Sequence, residues 1–133
     1  TGEAATQMLV GGGSVVIMPE GLTNFSPEVA EFKPGTVKIA REAARRLGKP
    51  VHIVPAYIRY GKYPGGWLAT LDRAIQYFVV FLLFPLYRRQ ARVVVGKAVS
   101  TDDLVDAQGR PLSDEDASEL LRQRVIALDP GKV

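Results

Sequence analysis

Cysteine is absent from this 133-residue chain, and histidine occurs once, at His52. The first absence excludes a disulfide framework and a thiolate metal site; the second excludes a His-rich one, so no metal is expected. Long apolar runs are also missing. The longest, residues 77–87, is eleven residues broken by Pro85, about half of what a membrane span requires. The opening residues Thr1-Gly2-Glu3-Ala4 carry no basic stretch followed by an apolar one, so no signal peptide is expected, and with no Met in first place a natural start elsewhere is.

What is present points to a packed core. Apolar residues make up 47% of the chain, and the length fits one domain or a large piece of one. Charge is unevenly spread. Residues 59–97 hold seven Lys/Arg against one Asp, a net +6, whereas residues 98–133 hold four against eight acids, a net −4. One basic and one acidic surface are expected. A basic band suits nucleic acid, an anionic membrane or an anionic substrate, and charge alone does not choose among them.

Residues 4–10 predict a short helix ending at Gly11-Gly12-Gly13, a plain turn with no following Gly-Lys-Ser/Thr to complete a phosphate loop. Ser14-Val15-Val16-Ile17-Met18 is a β-branched run that predicts a buried strand opening into a loop at Pro19. From Thr36, the spacing of Val37, Ala40, Ala44 and Leu47 predicts an amphipathic helix stopped by Gly48-Lys49-Pro50. Its Arg41, Arg45 and Arg46 are expected on a solvated face. Residues 51–58 predict a second strand with Pro55 inside it, and residues 92–96 a third. Ser113-Asp114-Glu115-Asp116 predicts the capped start of a last helix with Ala117, Leu120, Leu121, Val125 and Leu128 on one face. Strand, loop, helix, strand implies a parallel crossover, hence an α/β fold with a mainly parallel or mixed sheet flanked by helices. The run at 77–87 is open to two placements, a core helix or an interfacial anchor; Trp67, the tyrosines and the flanking arginines suit a headgroup-level position.

The most specific stretch is Ile17-Met18-Pro19-Glu20-Gly21-Leu22-Thr23-Asn24, which delivers a carboxylate and a glycine at the C-terminal tip of a strand, the edge where open α/β sheets bind ligands. It resembles the Phe-Pro-Glu-Gly-Thr-Arg-Ser block of the PlsC-type glycerolipid acyltransferases. Downstream, Phe32-Lys33-Pro34-Gly35 matches that family's Phe-Lys-x-Gly element, and Ile53-Val54-Pro55-Ala56 its block around Val-Pro. Arg92-Val93-Val94-Val95-Gly96 with the helix after it resembles the family's closing strand and last helix. The resemblance covers nearly the whole chain, in the family's order. It implies that residues 1–133 are the C-terminal portion of a single acyltransferase domain, with a basic, aromatic insertion at 59–92 that is open to a membrane-facing placement.

The resemblance further implies transfer of a fatty acyl group from acyl-CoA or acyl-carrier protein to a lysophosphatidic-acid-like acceptor at the cytoplasmic face of a membrane, with no bound cofactor and no nucleic acid. Such an acceptor brings a phosphate and a hydroxyl, so one set of groups must hold the phosphate while a base takes the hydroxyl proton. Lys33 and the helix start at Gly35 suit the phosphate, with Gly21, Thr23 and Asn24 beside it and Pro55 shaping the wall. Glu20 is placed as a supporting carboxylate, accepting hydrogen bonds or bracing its neighbours.

Two departures from the family pattern matter. The general base that the resemblance implies, the His of a His-x-x-x-x-Asp motif, is not in this sequence: five residues after His52 stands Tyr57. As it stands the chain is therefore expected to be inactive, and to begin within the domain. Thr23 occupies the place of the usual Arg, which removes a bidentate phosphate ligand; either Lys33, Lys38 or a residue upstream of this sequence takes over that work, or the acceptor is not a simple glycerol phosphate. Two alternatives remain: a non-catalytic homologue that binds anionic lipid at a membrane surface, and an unrelated α/β phosphate-ester enzyme sharing Pro-Glu-Gly by chance.

Overall fold

The computed structural model describes residues 2–21, 28–59, 67, 70–83, 91–129 and 131. Within them the element order is α1 (Gly2–Val10), α2 (Gly35–Leu47), β1 (His52–Ile53), β2 (Ala56–Arg59), α3 (Arg73–Leu83), β3 (Arg92–Val95), β4 (Val99–Ser100), a 3-10 turn (Thr101–Asp103) and α4 (Asp114–Ile126). The fold is mixed α/β, as the segment pattern implies, but the sheet is not the expected one. β1 pairs with β4, setting His52 opposite Ser100, and β2 pairs with β3, setting Ala56 opposite Val95 and Arg59 opposite Arg92. Both pairs are antiparallel and each is a separate two-stranded sheet.

The expected strand at 14–18 is where the parallel crossover fails. Those residues join no sheet among the described residues, and Val16 is 89% exposed. A β-branched run records a preference for the extended backbone; it becomes a strand only when a neighbour takes up its N–H and C=O groups. The second expected strand forms, but as two. Pro55 has no N–H to donate, and the ladder steps there from β1 to β2. The carbonyl of Pro55 accepts the Gly96 N–H at 2.8 Å, so the break is closed by the partner ribbon.

α2 matches its sequence signals closely. Val37, Ala40 and Ala43 are buried, and Gly48 closes the helix at φ 66°, a left-handed position that glycine takes without steric cost. α4 begins as its capping residues predict: the Ser113 hydroxyl accepts the Asp116 N–H at 3.1 Å. The core lies between these two helices. Val37, Val99, Leu104, Ala117 and Leu121 are buried together, with Phe32, Ile53, Leu112 and Leu120 packed against them.

The arginines of α2 are more engaged than a solvated face would have them. Arg41 reaches Asp114 at 2.6 Å and the Leu112 carbonyl at 2.8 Å, tying α2 to the start of α4. Arg46 makes two bonds to Glu3 of α1, at 2.6 and 2.9 Å, and one to Glu42 at 2.7 Å. Arg45 also grips Glu42, at 2.7 and 2.9 Å.

The hydrogen bonds from Arg45, then Arg46, pull the Glu42 carboxyl down to about 2 from its ordinary 4.5, and Arg46 lowers Glu3 likewise. A folded-state value below the unfolded one adds stability that is fully present above pH 4.5 and is lost as pH falls from there toward 2. The groups are at the surface, so the effect is modest and screened. The melting temperature is expected to fall between about pH 5 and about pH 3, less so in about 1 M salt and less so in Glu42→Gln. An equal fall in that variant would remove Glu42 from the cause.

Candidate functional site

Residues 18–21 form a tight turn in which the Gly21 N–H donates to the Met18 carbonyl at 3.1 Å. Pro19 supplies the fixed φ that the second position of such a turn favours. Gly21 sits at φ 72°, in the left-handed region where a side chain is strained. The far end of the loop returns to this turn: the Lys33 N–H donates to the Pro19 carbonyl at 2.9 Å. The loop is thus closed at its base, with Glu20 and Gly21 on one side of the closure and Lys33 on the other.

The side chain of Lys33 then lies across Gly21. A Cβ built on Gly21 would stand 3.0 Å from Cδ and 3.1 Å from both Cε and Nζ of Lys33. The bare Gly21 backbone is what lets the lysine stem lie against the turn. Among the described residues Lys33 takes part in no ion pair, its neighbour Phe32 is packed against the core, and Pro34 holds the N-cap of α2 with no side-chain cap. Each residue of Phe32-Lys33-Pro34-Gly35 contributes separately. Phe32 anchors, Lys33 lays its stem and ammonium against Gly21, Pro34 sets the helix entry, and Gly35 opens α2 with nothing within 4 Å of a Cβ placed on it. The result is one cation beside an uncapped helix start, two features that both favour an anion.

Glu20 faces the other way round the loop. Its Oε2 accepts the Ala30 N–H at 3.2 Å. Ala30 is held in turn from α4, where the Arg122 guanidinium donates to the Ala30 carbonyl at 3.0 Å and to the Val29 carbonyl at 2.9 Å. Arg122 is a residue that sequence reasoning passed over. Its only local signal is Glu119, one turn earlier, to which it also bonds at 3.1 Å; nothing in the sequence foretells a reach of some ninety residues. Arg122→Ala leaves these carbonyls without their cationic donor, which costs about 1–3 kcal/mol. Faster amide hydrogen exchange at Ala30, with exchange in α2 unchanged, is the expected outcome; unchanged exchange at Ala30 would contradict the bracing role.

Thr23 and Asn24 lie outside the described residues. Pro55 is buried at the β1–β2 step, its ring against Gly96, and among the described residues no hydrogen bond joins it to the Glu20 turn. His52 is exposed on β1. No cluster of His, Cys, Asp or Glu suited to a metal occurs among the described residues.

An open depression of about 330 Å³ lies elsewhere, beside Arg41, Thr101, Asp102 and Val105. Its size fits a small ligand, but its chemistry does not fit an anion. Arg41, the cation in its wall, is already committed to Asp114, and Asp102 adds a negative charge. Lys33 takes part in no ion pair among the described residues, so the Glu20–Lys33 loop base is the better candidate.

Comparison with known proteins bears on the family of the first part of the chain. Residues 1–59 match the sequence model of the Acyltransferase family. That stretch is acyltransferase-like. It contains the whole loop base, from Pro19 through Lys33 to Gly35, and α2 behind it, and it supports acyl transfer as the general activity. No curated protein and no solved structure matches the chain.

Proposed function

We propose that these residues form the acceptor side of a PlsC-type glycerolipid acyltransferase site, with the general base supplied by a His-x-x-x-x-Asp motif outside the 133 residues. The acceptor is a lysophosphatidic-acid-like glycerophospholipid and the donor a fatty acyl thioester, of coenzyme A or of acyl-carrier protein. The Lys33 ammonium and the first amides of α2 hold the acceptor's phosphate. Glu20, fixed through Ala30, keeps the turn rigid and offers its remaining lone pairs to acceptor hydroxyls.

With the phosphate fixed, the acceptor hydroxyl loses its proton to the histidine as its oxygen attacks the thioester carbonyl. A C–O bond forms, the C–S bond breaks, and the histidine returns the proton to the leaving thiolate. The contribution of this segment is orientation: holding two reactants in line supplies a large part of such a rate enhancement. The observation that carries the proposal is Lys33, which lies on Gly21 with no ion pair among the described residues, two positions before the start of α2.

The test is acyl transfer by full-length protein from labelled acyl-CoA and acyl-carrier protein to lysolipids with and without a phosphomonoester. Preference for the phosphomonoester, weakened in Glu20→Ala and Lys33→Ala, is the expected result. Transfer at the unmodified rate in both variants would refute the assignment of the pocket, and hydrolysis of a phosphomonoester without acyl transfer would refute the reaction.

A further inference from the structure

α3 is apolar on both sides: Val79, Val80 and Leu83 are half-buried, and the larger side chains opposite them are exposed. Its one buried residue is Gln76, 7% exposed, with the side-chain amide donating to the Leu71 carbonyl at 2.7 Å. Five large side chains face solvent: Phe81 is 82% exposed, Phe78 67% and Leu82 64%, with Ile75 and Tyr77 about half exposed. At roughly 100° per residue these five and Ala74 share a continuous arc of roughly 160°. Of the two placements open to the run at 77–87, the core helix is not met over residues 77–83; residues 84–87 lie outside the described residues. A soluble surface does not ordinarily present such a face unless something covers it.

The charges around α3 select what covers it. β2 ends at Arg59 and β3 begins at Arg92, and the two are cross-strand partners. The segment bearing α3 thus leaves and rejoins the ribbon between two arginines, of which Arg59 is paired with Asp129 at 3.5 Å, and Arg73 opens the helix itself. The single acid in residues 59–97, Asp72, is engaged at the helix start, where its Oδ1 accepts the Ala74 N–H at 3.0 Å. Apolar side chains on a helix face with cations at its root match the headgroup and acyl layers of an anionic bilayer. A symmetric pairing of two α3 faces would instead bring two +6 segments together.

We propose that α3 lies in the plane of an anionic membrane leaflet, such as the cytoplasmic one, with Phe78, Phe81 and Leu82 inserted among the acyl chains and Arg73 and Arg92 at the phosphate level. Eleven residues span only about 16 Å, and no described helix is long and apolar enough to cross a membrane; α3 lies along the surface. The attachment stands apart from the acyl-transfer proposal and needs no catalysis to be seen.

Sedimentation of the chain with vesicles tests it. Vesicles of phosphatidylcholine and phosphatidylglycerol are expected to bind the protein, pure phosphatidylcholine to bind it far less, and salt to weaken the binding. Phe78→Asp/Phe81→Asp alters two exposed positions and is expected to lower partitioning roughly a hundredfold with an unchanged circular dichroism spectrum; Arg73→Glu/Arg92→Glu is expected to erase the preference for anionic vesicles. Three results would each overturn the proposal: no binding to anionic vesicles, binding unaffected by the phenylalanine pair, or lipid-free dimerisation that the same pair abolishes.

Discussion

Lys33→Ala is expected to raise the KM for a phosphorylated acceptor about 10- to 150-fold in the full-length enzyme, the range given by losing roughly 1.5–3 kcal/mol of charged hydrogen bonding. The acyl donor's KM should stay put, because the proposed contact of the lysine is with the acceptor's phosphate alone. Lys33→Arg keeps the charge but places it at the end of a longer, planar group, and recovers part of the loss. With Thr23 standing where the family has Arg, no second cation shares the load at that position, so the effect of losing Lys33 is large. A uniform fall in kcat for every acceptor, phosphorylated or not, would move Lys33 from phosphate binding to structural support. Steady-state kinetics on a matched pair of acceptors, one lacking the phosphate, separates the two.

The second large effect is on stability. Leu104 is buried between α2 and α4, among Val37, Val99 and Leu121. Leu104→Ala removes buried methyl groups and leaves a cavity, at a cost of about 2–5 kcal/mol. For a chain of this size that is a large part of the total stability. The consequence reaches the site, because Phe32 packs on the same core and Lys33 follows it directly. Urea unfolding measures the loss, and a midpoint shift with an unchanged slope is the expected form. A cost below about 1 kcal/mol would mean that the α2–α4 interface is not the core.

The parts of the fold that were legible in the sequence are those whose causes are local. Gly48 ends α2 because the backbone there needs a positive φ, and Ser113 starts α4 because its hydroxyl meets an N–H three residues on; both signals lie within a turn of the feature they produce. The sequence marked a loop opening at Pro19, and the tight turn to Gly21 came only from the structure. Residues 14–18 were not, since whether an extended run pairs depends on chain far away in sequence, and the same is true of the antiparallel order of β1 to β4. Hydrophobicity placed the apolar run at 77–87 between core and interface, and only the exposure of Phe78 and Phe81 decides against the core. The motifs singled out Glu20 and Lys33, which the structure brings to one loop base, whereas the brace from Arg122 through Ala30 had no sequence signal, because it joins residues about ninety positions apart through backbone carbonyls.

The most direct measurement is a heteronuclear NMR titration of the chain with glycerol 3-phosphate. Saturable shifts of the Gly21, Lys33 and Gly35 amides, abolished by Lys33→Ala while His52 stays still, are the predicted result. Shifts centred instead on Arg41 and Asp102, or shifts at Gly21 that survive the loss of Lys33, would contradict a phosphate seat at the loop base.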